Sequence, residues 1–116
     1  METQKIKTAV VILNWNGKHW LEKYLANVIR ESPNAEVIVT DNNSTDGSVS
    51  YLQEYYPNIR IIFNDGNYGY AKGYNLALKQ IDSEYFVLLN SDIQVTKDWI
   101  SPIISLMDSD QMISAC

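Results

Sequence analysis

Residues 36–48 read EVIVTDNNSTDGS, and the abrupt change within this stretch decides the fold. Glu36 to Thr40 is a short, nearly unbroken β-branched run. A run of this kind, bounded by turn residues, predicts a strand covered on both faces, as in a parallel sheet. Asp41 to Ser48 then contains only turn and cap formers: Asp, Asn, Asn, Ser, Thr, Asp, Gly and Ser. A helical stripe follows at Val49, Leu52 and Tyr56, and Pro57 closes it.

The same unit recurs on either side. Thr8 to Leu13 (TAVVIL) leads into Asn14-Trp15-Asn16-Gly17 and then into a stripe at Leu21, Tyr24, Leu25 and Val28, which Pro33 stops near Arg30 to Ser32. The weaker run Ile59 to Phe63 (IRIIF) leads into Asn64-Asp65-Gly66-Asn67-Tyr68-Gly69 and a stripe at Ala71, Tyr74, Leu78 and Ile81. Tyr85 to Leu89 (YFVLL), read like the first two runs as covered on both faces, ends at Asn90-Ser91-Asp92. Strand and helix alternate throughout. Right-handed crossovers then give an α/β three-layer sandwich with a mainly parallel sheet. Near the end, Pro102 is comfortable only in a first turn, so a loose turn over Lys97 to Ile100 and a helix from about Ser101 to Asp108 are expected. The final MISAC, Met112 to Cys116, reads as the opening of another strand. Residues 1–116 are therefore expected to be the truncated front portion of a larger domain. An unfinished sheet edge would favour self-association.

Composition narrows the classes. A chain of 116 residues with 46% apolar residues can bury a core. Its net charge of −5, with nine scattered Lys and Arg, offers no basic footprint for nucleic acid. Cys116 is the single cysteine, which excludes an intrachain disulfide and suits a reducing, cytoplasmic setting. There is no signal-peptide pattern and no apolar stretch of bilayer-spanning length. The P-loop and the dinucleotide-binding glycine fingerprint are absent. His19 is the one histidine, has no serine nucleophile placed beside it, and reads as a surface residue at a helix start.

In open parallel sheets, ligands bind outside the carboxyl ends of the strands. All four strand ends here carry Asn or Asp, and a parallel sheet brings them to one edge. Asp41 can accept hydrogen bonds from a nucleobase imide or ribose hydroxyls, or it can cap its own loop. Asp46 reads as a helix-start residue. Asp92 is a carboxylate that can hold Mg2+ or Mn2+ against a diphosphate. Asn67 and Gly69 open the third helix, where Gly69 permits a left-handed turn. Gly73 would weaken that helix unless something must pass close by, Asn75 is expected to face the cleft, and Lys72 offers a charge for phosphate.

These segments resemble the inverting family 2 glycosyltransferases of GT-A fold, with rhamnosyltransferase-like and other cell-surface polysaccharide enzymes nearest. The matching stretches are VVILNWN from Val10, VIVTDNNSTDGS from Val37, NYGYAKGYN from Asn67 and VLLNSD from Val87, in the family's order. The resemblance implies a Rossmann-like nucleotide-binding half. It makes Leu13 and Asn14 the lining of the base and ribose pocket, Asp41 the nucleobase contact, and Asp92 the last acid of the metal-binding DxD motif, with Asn90 in place of its first aspartate. It implies a divalent metal cofactor, a nucleoside-diphosphate sugar donor, a saccharide or lipid-linked acceptor, and a catalytic base downstream of the residues present. This stretch alone is then expected to be inactive, with any membrane association residing in missing regions. The competing readings are a non-catalytic nucleotide- or glycan-precursor-binding module of the same fold, and a response-regulator-like domain. The latter needs acids at the first strand end, where Asn14 and Asn16 stand.

Overall fold

The structure is a computed structural model and describes residues 6–116. Strands and helices alternate: β1 (Ile6–Asn14), α1 (Lys18–Arg30), β2 (Glu36–Asp41), α2 (Ser48–Tyr55), β3 (Arg60–Phe63), α3 (Gly69–Leu78), β4 (Ser83–Asn90) and α4 (Ser101–Ser109). The four strands form one sheet in the order β3-β2-β1-β4, and every pairing is parallel. The chain first steps outward from β1 to β3, then returns to the other side of β1. That reversal puts a topological switch point at the carboxyl ends of β1 and β4, where such sheets open a crevice.

Alternation along the central strands builds two cores. Val10, Ile12, Val37 and Val39 face α1 and α2 and pack with Leu21, Leu25, Val28 and Leu52. Ala9, Val11, Leu13 and Ile38 face the other way, toward Tyr74 and Ala77 of α3 and Ile81. Each fully buried Leu, Ile or Val contributes about 1.5–3 kcal/mol relative to exposure. Ile100, Trp99 and Ile104 join the first core, so α4 lies on the α1 side. The turn before α4 is held to α1 by Asn27, whose Nδ2 donates to Val95 O (3.1 Å) and whose Oδ1 accepts from Val95 N–H (2.8 Å). Trp99 Nε1 donates to Ser32 Oγ at 3.0 Å.

Three expectations are corrected. β4 is not covered on both faces: Phe86 and Leu88 remain 38% and 52% exposed. Among the described residues α3 is the only helix on that face; it packs mainly on β1 and β2, meets β4 through the Tyr74 hydroxyl, which donates to Leu89 O at 3.1 Å, and leaves Phe86 and Leu88 uncovered. The MISAC segment is not a strand; a turn at 111–112 gives way to irregular chain that lies beside β4 but does not pair with its open edge. The third helical stripe runs through Gly73, Tyr74, Ala77 and Ile81 while Ala71 is exposed, since the helix approaches the sheet at the glycine.

Candidate functional site

The tips of β1 and β2 are register partners, Asn14 opposite Asp41. Both side chains are buried, and Asn14 Nδ2 donates to Asp41 Oδ1 at 2.9 Å. Asp41 also accepts from Ser44 N–H (2.8 Å) and Ser44 Oγ (2.7 Å). Ser44 Oγ in turn accepts from Asn14 Nδ2 (3.2 Å) and from Asn16 N–H (2.9 Å). Asn16 Oδ1 takes the Thr45 N–H at 2.7 Å. Asn16 and Asn43 adopt positive φ of 49° and 63°, a region that Asn tolerates better than most residues. Asp46 ends the seam. Its Oδ2 accepts from Lys18 N–H at the start of α1, and its Oδ1 from Ser48 N–H at the start of α2, both at 3.0 Å. Partial burial works against ionisation of Asp46, but the Ser48 hydroxyl and these N–H donors outweigh it and hold the carboxyl below its usual range. Two helix starts are thus satisfied by one carboxylate.

A second network ties β2 to α3. Asn42 is 1% exposed. Its Nδ2 donates to Gly69 O at 3.2 Å, and its Oδ1 accepts from Asn64 Nδ2 at 2.7 Å. Asn64 Nδ2 also reaches Gly73 O at 3.3 Å. Gly73 is where α3 touches the tips: a Cβ there would stand 2.9 Å from Asn42 Nδ2 and 3.0 Å from Leu13 Cδ1. Gly69 has φ +73°, the left-handed conformation that glycine adopts freely.

Between these two seams lies a hollow of ≈ 390 Å³, at the carboxyl ends of β1 and β4. Its wall is made by Leu13, Asn42, Asn67 and Gly69, its lip by Trp15, Trp20 and Tyr70, and its far side by Asn90, Ser91 and Asp92, with Asn16 and Gly17 between. Trp15 and Tyr70 are 52% and 65% exposed, so flat aromatic faces border amide-rich walls. Asp92 is the one charged side chain among the lining residues. A smaller cavity of ≈ 210 Å³ at the opposite end of the sheet, by Thr8, Ser32 and Ile104, lies away from all four strand tips.

Of the residues singled out by sequence, Leu13, Asn67, Gly69, Asn90 and Asp92 meet in the hollow. Asn14 and Asp41 are buried outside its lining, and Asp41 accepts three hydrogen bonds from protein donors, two at Oδ1 and one at Oδ2, as its loop-capping alternative expects. Asn14 Oδ1 has no partner and sits 2.6 Å from where a Cβ of Gly17 would be. Asn75 does not face the cleft; it is exposed on α3 outside the lining. Lys72 Nζ stands over the Tyr68 ring, 4.3 Å from its centroid, and does not line the hollow. Sequence reasoning missed Asn42, Trp15, Trp20, Tyr70 and Ser91. Trp15 stands within the first polar turn, a position that signals exposure at a strand tip, and Trp20 follows in the first turn of α1, whereas nothing in the spacing separates Asn42 from Asp41.

The decisive comparison is with glycosyl transferase family 2, which matches residues 9–116, through every strand and helix that builds the hollow. The chain belongs to that family. Among relatives, this family 2 chain is 29% identical over 111 residues to the putative teichuronic acid biosynthesis glycosyltransferase TuaG of Bacillus subtilis, covering 92% of this chain and 44% of that protein. Its fold matches Staphylococcus aureus TarS 1–349 in complex with UDP-GlcNAc (TM-score 0.77, 23% identity, 90% of this chain, 32% of that one). It also matches the mannosyltransferase PcManGT of Pyrobaculum calidifontis in complex with GDP-Man and Mn2+ (TM-score 0.70, 23% identity, 85% and 33%). At those identities the likeness is one of fold, an α/β sandwich of Rossmann-like GT-A architecture. The chain spans less than half the length of the curated relatives it matches.

Among the described residues no three His, Cys, Asp or Glu side chains gather into a metal cluster. What the family 2 hollow offers is one exposed carboxylate, Asp92, beside the Asn90 amide and the Ser91 hydroxyl. These are hard oxygen donors, and so few of them suit an ion such as Mg2+ or Mn2+ that keeps water and takes ligand phosphate oxygens.

Proposed function

We propose that the hollow holds the nucleoside diphosphate of a sugar donor, and that the whole protein transfers that sugar, with inversion, to a saccharide or lipid-linked acceptor in cell-surface polysaccharide synthesis. The observation that carries this reading is the hollow itself. Aromatic side chains, asparagine amides and a single carboxylate meet at the switch point of a parallel sheet. In this reading Trp15 or Tyr70 stacks on the base, and Leu13 and Asn42 line its edge. Asn67, the Gly69 backbone and Asn90 meet the ribose and phosphates. Asp92, with Asn90 and Ser91 beside it, is the group that would hold a divalent ion, which when bound supplies charge neutralisation to the departing diphosphate. TuaG's name, and the UDP-GlcNAc and GDP-Man with Mn2+ of the TarS and PcManGT complexes, support the ligand class.

No carboxylate other than Asp92 lines the hollow, so no general base is assigned within this stretch. We place the base, the acceptor site and any membrane contact in other parts of the polypeptide, working in the cytoplasm. Among the described residues no helix is long and apolar enough to cross a membrane.

The test is calorimetric titration of the full chain with UDP and dTDP and with their sugars, with and without Mn2+, followed by an assay of sugar transfer. Metal-dependent binding that Asp92→Ala weakens supports the site. Binding without transfer by the full-length protein favours a non-catalytic module, and no nucleotide binding at all ends the proposal.

A further inference from the structure

Asn64 lies outside the lining of the hollow, and its side chain is buried within the fold. Its hydrogen bonds nevertheless converge on the hollow's wall. Its backbone N–H donates to Asp41 O at 2.8 Å, fixing the start of the β3–α3 loop against the tip of β2. Its side-chain nitrogen donates to Asn42 Oδ1 at 2.7 Å and to Gly73 O at 3.3 Å. An amide side chain has two orientations, and only the pattern of neighbouring donors and acceptors decides between them. Here a donor faces one end of the Asn42 amide and an acceptor, Gly69 O, faces the other. With Oδ1 held by Asn64, Nδ2 must point to Gly69. Reversing the amide would set Oδ1 against the Gly69 carbonyl and the Asn42 NH2 against the Asn64 NH2, unfavourable at both ends.

We propose that Asn64 is a positioning residue: it fixes the amide orientation of Asn42 and seats the first turn of α3, and so sets the shape and hydrogen-bonding polarity of the wall at Asn42, Asn67 and Gly69 and the placing of Tyr70 on the lip. Its importance for the ligand rests on the nucleotide reading above; its effect on the wall does not. The consequence is a wall that presents the nitrogen end of Asn42 beside Gly69, with the two buried amides hydrogen-bonded to each other. Removing Asn64's donors leaves Asn42 Oδ1 unpaired in a site with almost no access to water, a costly state that the wall relieves by reorienting.

The experiment compares Asn64→Asp, which keeps the shape and removes the donors, and Asn64→Leu, which removes the polarity altogether, with Val28→Ala, a core change on the other face of the sheet. Each is made in the full chain and measured well below its melting temperature. Hydrogen exchange of the Asn42 side-chain NH2 and of the Tyr70 to Gly73 backbone amides is followed by NMR without ligand, and UDP affinity is then titrated with Mn2+. Both Asn64 variants are expected to raise exchange at these positions, and to weaken UDP binding, by about tenfold, while Val28→Ala does neither. Exchange at Asn42 and α3 that rises no more in the Asn64 variants than in Val28→Ala overturns the proposal. A clear exchange effect in a chain that binds no UDP supports the positioning role and overturns the nucleotide reading instead.

Discussion

Asn14 Nδ2 donates to Asp41 Oδ1 across 2.9 Å, joining the tips of two parallel strands through side chains that are 0% and 2% exposed. The carboxylate accepts from three protein donors: Asn14 Nδ2, Ser44 N–H and Ser44 Oγ. Asp41→Asn leaves one acceptor oxygen for those donors, and should cost about 1–3 kcal/mol of stability, read by urea unfolding. Nucleotide affinity should fall only as far as the loop loosens. If binding is abolished while the unfolding midpoint stays put, Asp41 is a direct ligand contact and not the anchor of its loop.

Gly73 reverses an ordinary rule. Alanine in place of glycine within a helix normally stabilises it by up to about 1 kcal/mol. At Gly73 the new methyl would meet the Asn42 amide, held at both ends by hydrogen bonds, at 2.9 Å and Leu13 Cδ1, packed in the core, at 3.0 Å. Gly73→Ala should therefore destabilise by about 1–3 kcal/mol. A raised melting temperature would show that α3 does not press on the strand tips.

Asp46 predicts an acid dependence. Its folded pKa is lowered by the hydrogen bonds it accepts. A group of this kind stabilises the fold fully above its unfolded value, about 3.9, and loses that contribution as pH falls through the lower folded value. The stability gap between the wild type and Asp46→Asn should be constant near neutrality and shrink below about pH 4. Urea unfolding between pH 7 and pH 2.5 reads it, and a gap that persists unchanged at the acid end contradicts the assignment.

Much of this was legible in the sequence, for physical reasons. Runs such as TAVVIL and EVIVT are too short for helices and too apolar for one-sided strands, and Pro33 and Pro57 punctuate the crossovers. The same logic failed at Tyr85 to Leu89, because apolar content reports what a strand could bury and not whether a helix lies over it. At the site, the alignment of polar tips followed from parallel strands alone. The division of labour among them did not. Asp41 and Asn42 are neighbours of similar chemistry, but a strand turns successive side chains to opposite sides, and only the fold decides which is consumed by Ser44 and which meets Gly69.

Asp92 is exposed, and no hydrogen bond or ion pair among the described residues engages it. Asp92→Asn should leave the unfolding free energy within about 0.5 kcal/mol of wild type and remove the metal-dependent part of nucleotide binding. A large loss of stability would mean that the carboxylate has a structural partner.

The most direct test of the site is paramagnetic. Mn2+ added to the isotope-labelled full chain with UDP should broaden the amides of Asn90, Ser91 and Asp92 first, with UDP alone shifting Asn42, Gly69 and Tyr70. Broadening confined to other carboxylates, such as Glu84 and Asp108, or no response of the hollow to UDP, would contradict a nucleotide site at these strand tips.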